Sequence, residues 1–317
     1  MAARVRIGIS GWTYPPWRGV FFPRGLRQRD ELAYAGRTFP TIEINGTHYS
    51  LQTAASFRRW FDETPAGFIF SVKANRYITH LRRLRDVRAP VANFFASGLL
   101  ALKEKLGPIL WQFPPNFRFD AGRLENFLAA LPRDTAGAAR LGRRHDDHLP
   151  DRAFLRIDKS RRLRHCIEVR HESFLVPEFF KLLRRHKVAF VFADTAGKWP
   201  YVEEMTSDFL YLRLHGDEEL YVSGYTEKAL QEWARRIRHW SEGEPRKDAP
   251  LVLPPRKRAI RDIFVYFDND AKVKAPRDAL RLAELLGGRA ASPAGNASRP
   301  PSAGRPGIRP GDTKRKS

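Results

Sequence analysis

Eight short runs rich in β-branched and aromatic residues recur along this 317-residue chain. They are Val5–Ile9, Thr41–Ile44, Phe68–Val72, Ile109–Gln112, Cys166–Val169, Ala189–Ala193, Phe209–Leu214 and Ile263–Phe267. Each has the length and composition of a strand. Most segments between them carry helical periodicity instead. Phe57, Trp60 and Phe61 share one face, and Leu124, Phe127, Leu128 and Leu131 share another between a capping Asp120 and Pro132. Leu230, Trp233, Ala234 and Ile237 follow a Thr226 cap. Pro276 is expected to start a last helix that carries Leu280, Ala283 and Leu286 and stops at Gly287. Strands alternating with helices build a parallel sheet covered by helices, and eight such units predict a closed (β/α)8 barrel. A doubly wound open sheet is the alternative. One unit is irregular: Thr195 to Asp208, after the sixth strand, is too polar and Pro-broken for a full helix.

The barrel domain is expected to span residues 1–288, with basic insertions near 133–164 and 243–258. From 289 to 317 the chain is rich in Pro, Gly, Ser and Ala with scattered Arg. Such a tail buries too little apolar surface to offset its ordering entropy, so disorder is expected there. The 42% hydrophobic content of the whole chain suffices for a substantial core. A single Cys excludes an intramolecular disulfide and any Cys-x-x-Cys metal site. No run of about 18 apolar residues is present to span a membrane. The start, Met1-Ala-Ala-Arg-Val-Arg, leads straight into the first strand without a signal-peptide apolar region. The expectation is a soluble, cytoplasmic protein without membrane insertion. Oligomeric state is not legible.

Inward of this frame, polar residues gather at the carboxyl ends of the strands. The first offers Ser10 and Trp12; the second Glu43, Asn45, His48 and Tyr49. The third offers Lys73, Arg76 and His80, and the fourth Gln112 and Asn116. Then follow Glu168, Arg170 and His171; Asp194; Arg213 and His215; and finally Asp268, Asn269 and Asp270. The amino ends carry few such groups. Barrel active sites form where the βα loops converge, at the carboxyl face, so one-sided clustering is what a catalytic barrel predicts.

Strand parity refines the picture. Glu43 and Asn45 oppose Ile42 and Ile44, Glu168 and Arg170 oppose Ile167 and Val169, and Tyr211, Arg213 and His215 oppose Leu210, Leu212 and Leu214. The apolar side must meet the helices, so the charges point into the barrel. There they are costly unless paired or used. The chemical reading makes Glu43 and Glu168 general acid or base, with His171, His215 and Asp194 as further catalytic candidates. Trp12, Asn45, His48, Tyr49, Lys73, Arg76, His80, Gln112, Arg170, Arg213 and Asn269 are then candidate substrate contacts, the guanidinium groups fixing a phosphate or carboxylate. A divalent metal held by His171, His215, Asp194 and Glu168 is a further possibility, although no His-Glu-x-x-His spacing is present. The competing reading is a buried ion network, Glu43 and Glu168 neutralised by Lys73, Arg170 and Arg213, that only closes the core.

The formal net charge is +22, and 43 of the 57 basic residues are Arg. Such a chain attracts phosphorylated small molecules or nucleic acid, the latter through Arg82, Arg83, Arg85, the 133–164 segment and the tail. An Arg-rich, Lys-poor composition also follows from GC-rich coding, without functional meaning. Walker, Gly-x-Gly-x-x-Gly and Gly-x-Ser-x-Gly motifs are missing. Cys166, inside a strand, reads as a packed residue. Trp12, Tyr14, Trp17 and Trp111 can stack on a base or sugar ring, or cap a core.

Several of these segments resemble a known family. Gly11-Trp-Thr-Tyr-Pro-Pro-Trp-Arg-Gly19, Glu43-Ile-Asn-Gly-Thr-His-Tyr49, Phe70-Ser-Val-Lys-Ala-Asn-Arg-Tyr-Ile-Thr-His80 and Leu110-Trp-Gln-Phe-Pro-Pro-Asn116 are similar to the YecE-like family, the domain of unknown function DUF72. So are Glu168-Val-Arg-His-Glu-Ser-Phe174, Ala193-Asp-Thr195, Tyr211-Leu-Arg-Leu-His-Gly216 and Tyr266-Phe-Asp-Asn-Asp270. The matches run in order from about residue 5 to about 287. The resemblance implies a TIM-like barrel and no settled activity; hydrolase or isomerase chemistry is a fold-level analogy. Val273-Lys274 stands where the family commonly has Gly-His, which argues against a histidine role beside the eighth strand.

Overall fold

The computed structural model describes residues 2–149, 152–217, 223–243, 248–255, 257, 259–269 and 273–287. The expected disordered tail, 289–317, lies outside them, as does Asp270. Eight strands, β1 (Val5–Ser10), β2 (Thr41–Ile44), β3 (Ile69–Lys73), β4 (Leu106–Gln112), β5 (His165–Glu168), β6 (Ala189–Asp194), β7 (Phe209–Leu214) and β8 (Asp262–Phe267), form one parallel sheet. It closes in chain order, β8 pairing with β1 from Val5↔Ile263 to Ile9↔Phe267. The open-sheet alternative is thereby settled in favour of the TIM-like barrel.

Around it lie α1 (Glu31–Thr38), α2 (Gly46–Tyr49), α3 (Ala54–Glu63), α4 (Arg88–Ala96), α5 (Ala121–Ala130), α6 (Thr135–Gly142), α7 (Pro177–His186), α8 (Glu227–Ser241) and α9 (Lys274–Leu285). The expected caps form: Asp120 Oδ1 accepts from Arg123 N at 2.9 Å, and Thr226 Oγ1 from Ala229 N at 3.2 Å. Two expectations need correction. First, α9 starts before Pro276 and buries Ala275, Ala279 and Leu282, while Leu280 and Ala283 are only half-buried. Its inner face is built of alanines, which a search for large apolar residues passes over. Second, the 133–164 stretch is not wholly irregular. Asp134 caps α6, accepting from Gly137 N at 2.7 Å, and α6 packs on α4.

Between β6 and β7 the chain is helix-free, as its polarity predicts. Side chains hold it down instead. Thr206 Oγ1 accepts from Phe190 N at 2.7 Å and lies 2.7 Å from Val188 O. Glu204 Oε1 accepts from Val252 N and Leu253 N at 2.7 and 2.6 Å, pinning the segment before β8 to this connection.

Alternation along the strands makes two separate cores. Outward residues such as Ile9, Ile42, Ile167 and Leu212 join the helices, whereas Leu110, Cys166, Val191, Tyr211 and Tyr266 fill the barrel. The interior is layered. At the amino end the Arg164 guanidinium lies 5.5 Å from the Phe209 ring and 5.9 Å from that of Phe264. At mid-height comes a hydroxyl belt, with Thr41 Oγ1 2.7 Å from Tyr266 Oη and Ser71 Oγ 2.6 Å from Tyr211 Oη. The carboxyl end is charged.

Gly8 permits closure of this barrel. A Cβ at that position would lie 2.0 Å from the Thr41 carbonyl oxygen on β2. Because the obstacle is backbone, Gly8→Ala is expected to destabilise the fold by about 1–3 kcal/mol, as overpacking does. A urea midpoint equal to wild type would show that β1 and β2 can part without loss.

Candidate functional site

Arg213, on the inward face of β7, organises the carboxyl mouth and is fully buried. Its Nη2 donates to Glu43 Oε1 of β2 at 2.9 Å and to Asp268 Oδ2, just beyond β8, at 2.6 Å. Nε donates to Glu43 Oε2 at 3.2 Å, and Nη1 to Glu168 Oε2 of β5 at 2.7 Å. Burial works against the guanidinium charge, but Glu43, Asp268 and Glu168 outweigh it and raise its pKa well above the usual arginine value. An ion network is therefore present, with Arg213 at its centre and Arg170 on Glu168; it differs from the expected one in taking in Asp268 and in leaving Lys73 without an ion pair among the described residues.

Glu43 is enclosed. Besides Arg213, Ser10 Oγ donates to Oε1, and Tyr211 Oη donates to Oε2 at 2.5 Å. Glu168 reaches higher. Its Oε1 accepts from Gln112 Nε2 at 2.8 Å and from Arg170 Nε at 2.9 Å. Burial opposes its charge, but Arg213 and Arg170 prevail and hold its pKa well below the carboxylate range. Asp268 is depressed in the same way, burial being overcome by Arg213 and by the hydrogen bond to His215. His215 Nδ1 lies 3.2 Å from Asp268 Oδ2, and Nε2 lies 3.3 Å from Arg213 Nη1.

Above this floor is a rim of cations and imidazoles. The Arg170 guanidinium lies 3.7 Å from the Trp199 ring, which the helix-free β6–β7 connection supplies. His48, on α2, has Nδ1 2.9 Å from Ala74 O. A carbonyl only accepts, so Nδ1 carries the proton and Nε2 is left as an acceptor. Burial, then Lys73, brings its pKa down to about 3. The His80 ring stands 4.9 Å away, and burial followed by Lys73 lowers its pKa to about 4. Arg76 is exposed, 5.7 Å from the ring of Tyr49, itself 66% exposed. Lys73, at the end of β3, is buried; that burial, then Arg213, lowers its pKa to about 8.

Not every candidate joins the mouth. Asp194 is one residue past inward-facing Ala193, so it turns outward and accepts from Tyr225 Oη at 2.8 Å. Burial raises its pKa. Asn269, next to inward Asp268, likewise turns outward and donates to Asp278 Oδ2 at 2.9 Å and Ser223 O at 3.1 Å. His171 Nδ1 accepts from Ser173 N at 3.1 Å, capping a turn. Trp12 packs edge-on against Trp60 of α3, with ring centroids 5.4 Å apart. Trp17 and Trp111 are fully buried, which removes them as stacking platforms. Asn45 is half-buried, its Oδ1 enclosed without a partner among the described residues.

The supposed metal set is thus split, and among the described residues no three His, Cys, Asp or Glu side chains converge as metal ligands. Sequence reasoning assigned no role to Asp268, Tyr211 or Ser10, although parity put Tyr211 on the face of Arg213. Trp199 carries no sequence signal at all, since it lies in an irregular connection.

An eight-stranded barrel with a charged layer filling its carboxyl end defines the structural class. The sequence profile of the family described as "Protein of unknown function DUF72" matches residues 6–303, and the chain belongs to that family. It is 30% identical over 313 residues to the UPF0759 protein YunF of Bacillus subtilis (strain 168), covering 89% of this chain and 94% of the relative. Among solved structures, a DUF72 family protein from Thermotoga maritima superposes with a TM-score of 0.68 at 24% identity, covering 90% of this chain and 99% of that one. One from Enterococcus faecalis gives 0.64 at 15% identity, covering 89% and 95%. These structures share the fold. Among the described residues no helix is long and apolar enough to cross a membrane.

Proposed function

We propose that this protein is an enzyme acting on an anionic, phosphorylated small molecule at the carboxyl mouth of the barrel. One observation carries the reading: Arg213 pairs with all three inward carboxylates and Arg170 shares Glu168, so the floor is neutralised and exposed Arg76, with the outer face of Arg170, leaves the rim net positive. Guanidinium groups bind phosphate oxygens through paired, charge-assisted hydrogen bonds. In this scheme Glu43 positions Arg213, and Glu168 aims Arg170. Proton transfer falls to groups higher in the mouth, the neutral imidazole of His48 and the amine of Lys73.

Calorimetric titration with inorganic phosphate and with a panel of sugar phosphates tests it. Arg170→Ala and Arg76→Ala should each weaken binding by about tenfold, the loss of one charge-assisted contact. Arg76 is exposed, so its variant should keep the wild-type melting temperature. Saturable binding unchanged in both variants, or none at all in wild type, refutes the reading.

A second reading is favoured by one feature. Arg83 and Arg85 are exposed in the β3–α4 loop, on the same face as the mouth, beside exposed Tyr77 and Leu81. A nucleic-acid backbone fits such a strip. Its affinity would fall steeply with salt and drop on Arg83→Ala with Arg85→Ala.

A further inference from the structure

Among the described residues two lysines are buried, and they differ in a way that bears on chemistry. Lys105 is 5% exposed, and its Nζ donates to Thr64 O at 2.7 Å, to Thr64 Oγ1 at 3.2 Å and to Phe61 O at 2.5 Å. All its donors are used, as expected of a structural residue. Lys73 is 8% exposed, and among the described residues its Nζ makes no hydrogen bond or ion pair. Lys73 lies two residues beyond inward Ser71, at the carboxyl end of β3, so its side chain points into the barrel at the level of the mouth. The carboxylates that would pair with it, Glu43, Glu168 and Asp268, are held by Arg213 instead. A buried amine kept from its counter-ions favours the neutral, nucleophilic form.

We infer that Lys73 is the covalent centre of the site, forming an imine with an aldehyde or ketone that carries a phosphate or carboxylate. The inference rests on the anion-binding reading of the same mouth. Neutral Nζ attacks the carbonyl carbon to give a carbinolamine. The carbonyl oxygen then leaves as water, taking both amine hydrogens, and a C=N bond joins Nζ to the substrate carbon. A proton on the imine nitrogen makes it an electron sink for proton removal at the neighbouring carbon. The groups around Lys73 suit this sequence. Glu43, Glu168 and Asp268 lend negative charge from β2, β5 and β8, Arg213 opposes it from β7, and the imidazoles of His48 and His80 lie close enough to couple to the amine. Burial and Arg213 bring the amine pKa to about 8, so neutral amine is present near neutrality.

The test is reductive trapping. The full chain is incubated at pH 7 with glycolaldehyde phosphate and sodium cyanoborohydride, then mapped by peptide mass spectrometry. Labelling of Lys73 should exceed that of exposed Lys159 and Lys181 by roughly tenfold or more, the preference expected of a desolvated, neutral amine. Lys73→Arg should abolish the preferred adduct, with its melting curve recorded alongside. Adducts that follow exposure, sparing Lys73 in wild type, overturn the inference. Unphosphorylated glycolaldehyde separates the two claims. Equal preference for Lys73 with and without the phosphate keeps the imine and overturns the anion reading. Preference only with the phosphate supports both.

Discussion

Arg213→Met is expected to lose about 3–5 kcal/mol of stability in urea titrations, the penalty for removing one partner of a buried ion cluster. The reason is geometric. Glu43 and Glu168 are fully buried, Asp268 is nearly so, and Arg213 donates to all three. A thioether of similar length fills the space but leaves three carboxylates facing one another without a cation between them. They must then take up protons or draw water into the barrel. Arg213→Lys should recover part of the loss, because the charge remains while the fork that reaches three strands does not. Adding Glu43→Gln and Glu168→Gln to Arg213→Met should also restore stability, since the cost lies in unpaired charge and residues in one network are not additive. An Arg213→Met protein within 1 kcal/mol of wild type would mean that the network contributes nothing to holding the mouth closed.

Glu168→Gln follows from the same contacts. A carboxylate bonded to Arg213 and Arg170 holds the network together and, on the proposed reading, aims Arg170, so its loss should lower both stability and phosphate binding. A clean separation of the two belongs to Arg76, which is exposed at the rim.

The barrel was legible because its two periods are strong. β-branched runs marked all eight strands to within a residue or two at each end except the start of β4, where Leu106-Gly-Pro lacks the usual composition. Parity along β2, β5 and β7 correctly turned Glu43, Glu168 and Arg213 inward. Position at a strand end is not enough without parity: Asp194 and Asn269 stand beside inward residues and so face out. Pair identity was beyond reach. Nothing in the order of residues says that Arg213 rather than Lys73 takes the three carboxylates, because that depends on the stagger of strands far apart in the chain. Trp199 was invisible for a similar reason, being placed by a connection with no period of its own.

The polar interior also sets a pH response, because several histidines are held neutral. His165 is fixed from both sides: Nδ1 accepts from Trp111 Nε1 at 3.1 Å, and Nε2 lies 2.8 Å from Pro132 O, to which it donates. A second proton would have to sit where the Trp111 donor already points. Burial lowers its pKa to about 4, and burial with Lys73 takes His48 to about 3, against about 6.5 in an unfolded chain. Between pH 6.5 and about 4 the unfolded state therefore binds one more proton at each site, and stability falls as the pH falls. Two such protons correspond to a slope of about 2.7 kcal/mol per pH unit. His215, lowered by burial and Arg213, acts in the same direction. Glu168 and Asp268, whose folded pKa values are depressed, add their loss only below the unfolded carboxylate range, near pH 4. Urea midpoints at pH 7.5, 6 and 5 should show a marked decline above the pH at which Glu168 and Asp268 begin to contribute. His165→Gln, which can still accept from Trp111 and donate to Pro132, should make that decline shallower. A stability curve flat from pH 7 to 5 would show that these imidazoles take up protons in the folded state as freely as in the unfolded one.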